Sequence, residues 1–253
     1  MATWKRRGGF EQFEEKLLKG MKARGYTQQV AQQIYNQIKG FGEYGFPESH
    51  SASFALLAYA SSWLKCYHQA AFTCALLNSQ PMGFYEPAQL VADARKHGVQ
   101  VLPVDVTISD ADSSLELPDD QFAVDDATNK RSLRLGLRMI KGLSSGGIGN
   151  IIDARRARPF ASIQDLAMRA RLNTQDMECL AAANALRTLS GDRHRAYWQV
   201  AGIETNIPIF EAPVFAEGDV MLPKPSEGQN IVADYATIGL SLGRHPLALL
   251  RER

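Results

Sequence analysis

Hydrophobic positions recur at helical spacing through the first hundred residues. Phe10, Phe13, Leu17 and Met21 stand three or four apart with charges between them, and Gly25 follows as a stop. Thr27 suits the cap of a second helix whose apolar face is Val30, Ala31, Ile34 and Ile38, ended by Gly40. A third helix is predicted from Ser49 onward, carrying Phe54, Leu57, Ala58 and Leu64. It is apolar almost all round, which implies burial on several sides. Its apolar run, residues 52–64, contains serines, stops at Lys65 and is too short to span a bilayer, so it reads as a core helix. A further helix covers residues 70–77. Pro87 opens another, with Leu90, Val91 and Ala94 inside and Gly98 after it.

The period then changes. Residues 99–106 alternate as a strand that Pro103 confines to a sheet edge. Residues 113–117, 121–124 and 132–137 are further short strands, with acidic, turn-rich loops over 118–130. Helical spacing returns with Ile148, Ile151 and Ile152, then Ile163, Leu166 and Ala167, then Met177, Leu180 and Ala181 behind a Thr174 cap. Residues 203–228 are rich in Pro, Glu and Gly and read as a linker, and residues 229–253 regain apolar character. The expected fold is mainly α with a small β-sheet. It divides into a helical region over 1–98, a β-containing segment over 99–137, paired helices over 138–202, the linker and a C-terminal stretch.

At 253 residues and 45% hydrophobic the chain can bury a sizeable core, but its net charge of +1 is silent about nucleic acid. Local charge is more informative. Lys130, Arg131, Arg134, Arg138, Lys141, Arg155, Arg156 and Arg158 face only Asp153 between residues 130 and 158. Such a cluster is either a solvated face or the footprint of binding to a duplex backbone. Cys66, Cys74 and Cys179 lack metal or disulfide spacing and read as free thiols of a cytoplasmic protein; the N-terminus lacks a signal-peptide apolar stretch. The five histidines are scattered, which gives no metal site, and the neighbours Ser49 and His50 do not make a catalytic triad. Asp105, Asp110, Asp112, Asp119, Asp120, Asp125 and Asp126 lie in loops and strands, where turn formation and solubility explain them. Trp63 and Trp198 read as core or interface anchors, and Trp4, beside a basic run, could also stack on a base.

The stretch Phe-Gly-Glu-Tyr-Gly-Phe-Pro-Glu-Ser-His over residues 41–50 fits no period. It reads as a loop between helices, with Ser49 as N-cap and His50 in the first turn, either an ordinary capped corner or a phosphate site at a helix N-terminus. Residues 38–80 as a whole resemble the fingers region of the bacterial C-family DNA polymerases, the α-subunit kind. The run Pro81-Met82-Gly83-Phe84-Tyr85 and the Pro-Glu-Ser-His variant resemble the error-prone, translesion branch. The resemblance continues along the chain, more weakly over 115–132 and 203–225.

This resemblance implies a fingers domain followed by a tandem helix-hairpin-helix module. Ile140-Lys141-Gly142-Leu143 fits the hairpin turn, in which backbone N–H groups approach a DNA phosphate; Ser144 replaces the second glycine. The implied DNA-binding residues are Arg134, Arg138, Lys141, Gly142, Ser144, Ser145, Arg155 and Arg156. The second hairpin, over 159–200, lacks its glycines and reads as structural. The implied nucleotide contacts are Lys5, Arg6, Arg7, Tyr44, Ser49 and His50. Glu48 stands where the replicative pattern has lysine, which would loosen the grip on a triphosphate. The catalytic carboxylates and their Mg2+ belong to a palm that nothing here matches. The chain therefore reads as a piece of an enzyme, inactive alone, binding no cofactor itself. Implied partners are primer–template DNA, a deoxynucleoside triphosphate, a sliding clamp and a translesion companion protein, with no membrane. The alternative is a non-catalytic scaffold or adaptor of the same architecture.

Overall fold

The computed structural model describes residues 13–44, 48–117, 131–203 and 221–251, with the side chains of 40–50 outside that description. Two compact units divide the chain, residues 1–63 and 64–253. The described residues are mostly helical with one small sheet, as the hydrophobic pattern predicts. None of their helices is long and apolar enough to cross a membrane. The expected strand over 121–124, the 118–130 loops, most of the 203–228 linker, Phe10 and Trp4 lie outside the described residues.

In the first unit, α1 (Glu14–Ala23) packs on α2 (Gln28–Tyr44). Gly25 ends the first helix at φ +85°, and the Thr27 hydroxyl accepts the Val30 N–H at 3.4 Å to cap the second. Among the described side chains of α2, Ala31 and Tyr35 are buried, whereas Val30 is exposed. Tyr35, one residue on from the predicted Ile34, takes the inward place. Gly40 does not stop this helix, which runs four residues further to Tyr44. A helical glycine costs only about 1 kcal/mol, too little to end a helix that has other support.

Helix α3 (Glu48–Tyr67) crosses the boundary between the units. It starts at Glu48, so Ser49 lies inside its first turn and is not its cap. The predicted burial of this helix does not hold. Every residue from 51 to 67 is exposed, including Phe54, Leu56, Leu57, Tyr59, Trp63 and Leu64. Composition measures how much a helix gains from being covered, but not whether this chain supplies the cover.

The second unit begins with α4 (Gln69–Asn78) and α5 (Pro87–Lys96), the latter with Pro87 in its first turn and Gly98 at φ +85° behind it. Lys65 pairs with Asp93 at 2.9 Å, and Gln69 donates to the same carboxylate at 3.1 Å. Lys65 first, with Gln69 and His97, holds that carboxyl below the usual carboxylate range. The helices lie on a three-stranded sheet of order β1-β3-β2, made of β1 (Val101–Leu102), β2 (Ser114–Glu116) and β3 (Ser132–Arg134). β1 runs parallel to β3, with Val101 opposite Leu133, and holds the edge position that Pro103 requires. β2 is antiparallel, with Leu115 opposite Leu133. The Asn78 side chain fixes α4 to β2 by giving and taking one hydrogen bond with the Ser113 backbone, each 2.8 Å.

A 3-10 turn (Leu137–Met139) leads to α6 (Ser145–Ala157) and α7 (Ile163–Arg169), then α8 (Thr174–Ala182) and α9 (Arg187–Ser190). α10 (Arg193–Ala201), α11 (Glu227–Thr237) and α12 (Pro246–Arg251) follow. One hydrophobic cluster joins Leu77 of α4, Leu133 of β3, Ile151 of α6, Leu180 of α8 and Leu240 after α11. Burying such side chains contributes about 1.5–3 kcal/mol each. Trp198 is half exposed on α10 and is not a core residue.

Candidate nucleic-acid interface

The turn between the 3-10 segment and α6 is built from the inside out. Ile140 is buried as its apolar root. Lys141 donates its backbone N–H to Thr237 O at 2.9 Å and its ammonium to Tyr235 O at 3.4 Å, tying the turn to the end of α11. Gly142 then takes φ +83°, the left-handed backbone that favours glycine, and a Cβ there would stand close to the Cys179 sulfur, at 3.1 Å. Ser144 adopts an extended backbone and caps α6, its hydroxyl accepting the Gly147 N–H at 2.9 Å. Serine in place of the motif's second glycine therefore provides an N-cap.

A second pair of helices repeats this path. Arg171 takes φ +48°, a leucine follows, and Asn173 caps α8 by accepting the Asp176 N–H at 2.7 Å. Gly142-Leu143-Ser144 and Arg171-Leu172-Asn173 are thus the same turn twice. The cap of α8 is Asn173, not Thr174, which is its first helical residue. The repeat is hidden in the sequence because arginine stands where left-handed backbone favours glycine, at a cost of about 1 kcal/mol.

Asp176 joins the two turns. It is buried, and one carboxylate oxygen accepts the Ser144 N–H at 2.9 Å while the other accepts the Ser144 hydroxyl at 2.9 Å. In a capping box the acid at the third helical position bonds back to its own helix's cap. Here the acid of α8 bonds the cap of α6 instead, so the box is crossed between hairpins. Gly147 makes room for it: a Cβ there would sit 2.7 Å from the carboxylate. The sequence reading missed Asp176; the Asn-x-x-Asp spacing marks a helix start but not the partner across the module.

The N–H groups of Ser145 and Gly146 have no acceptor among the described residues. Both residues are exposed, and so is Gly149 one turn later. A Cβ on Gly146 or Gly149 would meet nothing within 4 Å. Packing within the described residues therefore explains neither glycine.

The basic residues sort differently from the charge count. Arg134 forms a fork with both oxygens of Glu116, at 2.7 and 3.0 Å, and donates to Pro103 O at 3.0 Å. Arg155 donates to Val106 O at 3.1 Å, Ser109 O at 2.8 Å and Asp110 at 2.9 Å. Arg138 donates to Asn78 O at 2.7 Å and pairs with Asp112 at 3.0 Å. These guanidinium groups hold the 103–116 segment against the hairpin, through partners that lie outside the 130–158 window. Arg156 is 77% exposed and only loosely paired with Asp153, at 3.5 Å. The structure therefore gathers Lys141, Gly142, Ser144 and Ser145 at one turn and puts Arg155 and Arg156 at the far end of α6. Of the expected nucleotide contacts, Lys5, Arg6 and Arg7 lie outside the described residues, as do the side chains of Tyr44, Ser49 and His50; the Glu48 side chain, expected to loosen that grip, lies outside them too. Their backbones place Tyr44 at the end of α2 and Ser49 and His50 at the start of α3.

No group of three or more His, Cys, Asp or Glu side chains comes together among the described residues. Asp105 accepts from Thr107 N–H at 2.8 Å and the Thr107 hydroxyl at 2.6 Å, and also from the Thr188 hydroxyl. It forms its own turn, as expected, and fastens it to α9. The described carboxylates thus do not gather into a polymerase Mg2+ site.

Comparison with known proteins agrees with this architecture. A family model described as "Helix-hairpin-helix motif" matches residues 98–196. The whole chain is 56% identical, over an alignment of 264 residues, to a protein of Methylococcus capsulatus named error-prone DNA polymerase, of which it covers 25%. It is 54% identical to one of the same name from Alkalilimnicola ehrlichii, covering 24% of it, and 55% identical to another from Pseudomonas fluorescens, covering 25%. The chain spans about a quarter of the length of these relatives. Carrying the hairpin module, the chain is similar over its whole length to a portion, about a quarter, of bacterial proteins named error-prone DNA polymerase.

Proposed function

We propose that this chain is the fingers and duplex-binding portion of an error-prone DNA polymerase acting in translesion synthesis, and that the first hairpin is its grip on the DNA backbone. The observation that carries this reading is the pair of unpartnered N–H groups at Ser145 and Gly146, set beside two glycines with open space over them. A helix N-terminus with free donors suits a phosphate, and glycines let a backbone come close. Lys141 and Arg156 add exposed positive charge. Lys5, Arg6, Arg7, Tyr44, Ser49 and His50 contact the incoming nucleotide in this reading. Catalytic carboxylates with Mg2+, a sliding clamp and a translesion companion act with the chain in the full enzyme.

Contacts of this kind read no bases. Duplex DNA of unrelated sequences should therefore bind alike. The logarithm of the affinity should fall linearly with the logarithm of salt, with a slope of about −0.9 per phosphate contacted, so roughly −2 to −4 for one hairpin and its flanking cations. Fluorescence anisotropy across a salt series measures this. Absence of binding at low salt, or binding indifferent to salt, would overturn the reading.

A further inference from the structure

We infer that Asp176 is a built-in anion that sets the strength of the hairpin's phosphate grip, an inference that rests on the duplex-binding reading above. The carboxylate stands where two helix N-termini converge. It lies in the first turn of α8, and it accepts both the backbone N–H and the hydroxyl of Ser144, the cap of α6. A helix N-terminus carries a partial positive charge and open donors, the features that attract an external phosphate. Here a full negative charge from the protein already answers both ends. Gly147 is the space reserved for it, since any side chain there would collide with the carboxylate. The contact therefore has two consequences. It holds the two hairpins in register, and it withdraws one of the turn's N–H groups, that of Ser144, from any ligand. A phosphate then meets only the Ser145 and Gly146 donors, next to a resident negative charge. The grip is held below what the same turn would give with a neutral group in that place.

The test is duplex binding across a salt series by the intact chain and by Asp176→Asn. The amide oxygen can still accept the Ser144 N–H and the amide nitrogen can donate to the Ser144 hydroxyl oxygen, so the turn keeps its geometry while the charge is removed. The variant should bind roughly three- to tenfold more tightly at low salt, with an unchanged salt slope because the same phosphates are met. Asp153→Asn is the comparison: it removes an exposed charge on α6 itself, and should give a clearly smaller gain. If the amide variant does not fold, Asp176→Ser supplies a neutral acceptor at the same position. Equal or weaker binding by a folded neutral variant, or an equal gain from Asp153→Asn, overturns the inference while leaving the duplex reading intact. No binding by either overturns both.

Discussion

Replacing Arg193 by alanine should destabilise the second unit by about 3–5 kcal/mol, the range for breaking one side of a buried ion pair. Arg193 opens α10 with its side chain only 4% exposed. One terminal nitrogen donates to the Asn230 backbone and side-chain oxygens at 3.1 and 2.8 Å, and the other to Asp234 at 2.5 Å. Asp234 also accepts the Ser241 hydroxyl at 2.7 Å. One guanidinium thus fastens α10 to α11, whose Ile231 is buried and whose following turn supplies Leu240 to the core. Alanine would strand the Asp234 carboxylate and two Asn230 oxygens in a space that water enters poorly. Lysine should rescue little, because a single ammonium cannot hold the same planar fork. Thermal unfolding should show a Tm roughly 10 °C lower for the alanine variant. Removing Asp234 as well should cost less than the sum of the two single losses. A loss under about 1 kcal/mol from Arg193→Ala would show that the clamp does not matter.

Gly136→Ala should be comparably damaging, for reasons of space rather than charge. The residue follows β3 with φ −81° and ψ 157°, a conformation any residue adopts. The 110–113 backbone, however, lies directly against it. A Cβ would stand 2.6 Å from both Ala111 O and Ser113 N, and closer still to the carbonyl carbon of Asp112. Around it Leu137 N donates to Asp110 O at 2.8 Å, Arg138 N to Ala111 O at 3.0 Å, and Gly136 N to the Ser113 hydroxyl at 3.3 Å. Backbone held by such a ladder cannot retreat as a flexible side chain can. Overpacking of this kind costs about 1–3 kcal/mol and more where backbone must move, so we expect at least 3 kcal/mol, measured by denaturant unfolding. A variant within about 1 kcal/mol of the parent would mean that the two segments separate easily.

Local signals in the sequence carried well into the structure. Pro87 and Gly98 bracket α5 because proline's ring fixes φ at the helix start and glycine's missing side chain permits the positive φ behind its end. Pro103 marks an edge strand because it has no N–H to give. Ile140-Lys141-Gly142-Leu143 located the first hairpin. What sequence could not show is what lies opposite each element. Arg155 finds its partners 45 to 49 residues away, and Arg134 finds Glu116 18 residues away, so a charge count within one window mistook internal staples for open surface. The apolar composition of α3 announced a need for cover that the exposed helix does not meet. Nothing in the sequence singles out Asp176, because its role depends on a cap 32 residues earlier. The hairpin is legible in its own residues, whereas its electrostatics are legible only in the fold.

The central claim is that the exposed start of α6 meets a DNA backbone, and Gly146→Ala/Gly149→Ala tests it most directly. Among the described residues neither Cβ would meet an atom outside its own stretch of helix, and alanine favours a helix over glycine by about 0.5–1 kcal/mol per position. The double variant should therefore be as stable as the parent chain or more so. If a phosphate approaches this surface, the same two methyl groups stand in its path, and duplex affinity at low salt should fall by roughly tenfold or more, the equivalent of about 1.4 kcal/mol. A folded, stabilised variant that binds duplex DNA as well as the parent would contradict the claim and place the DNA elsewhere on the protein.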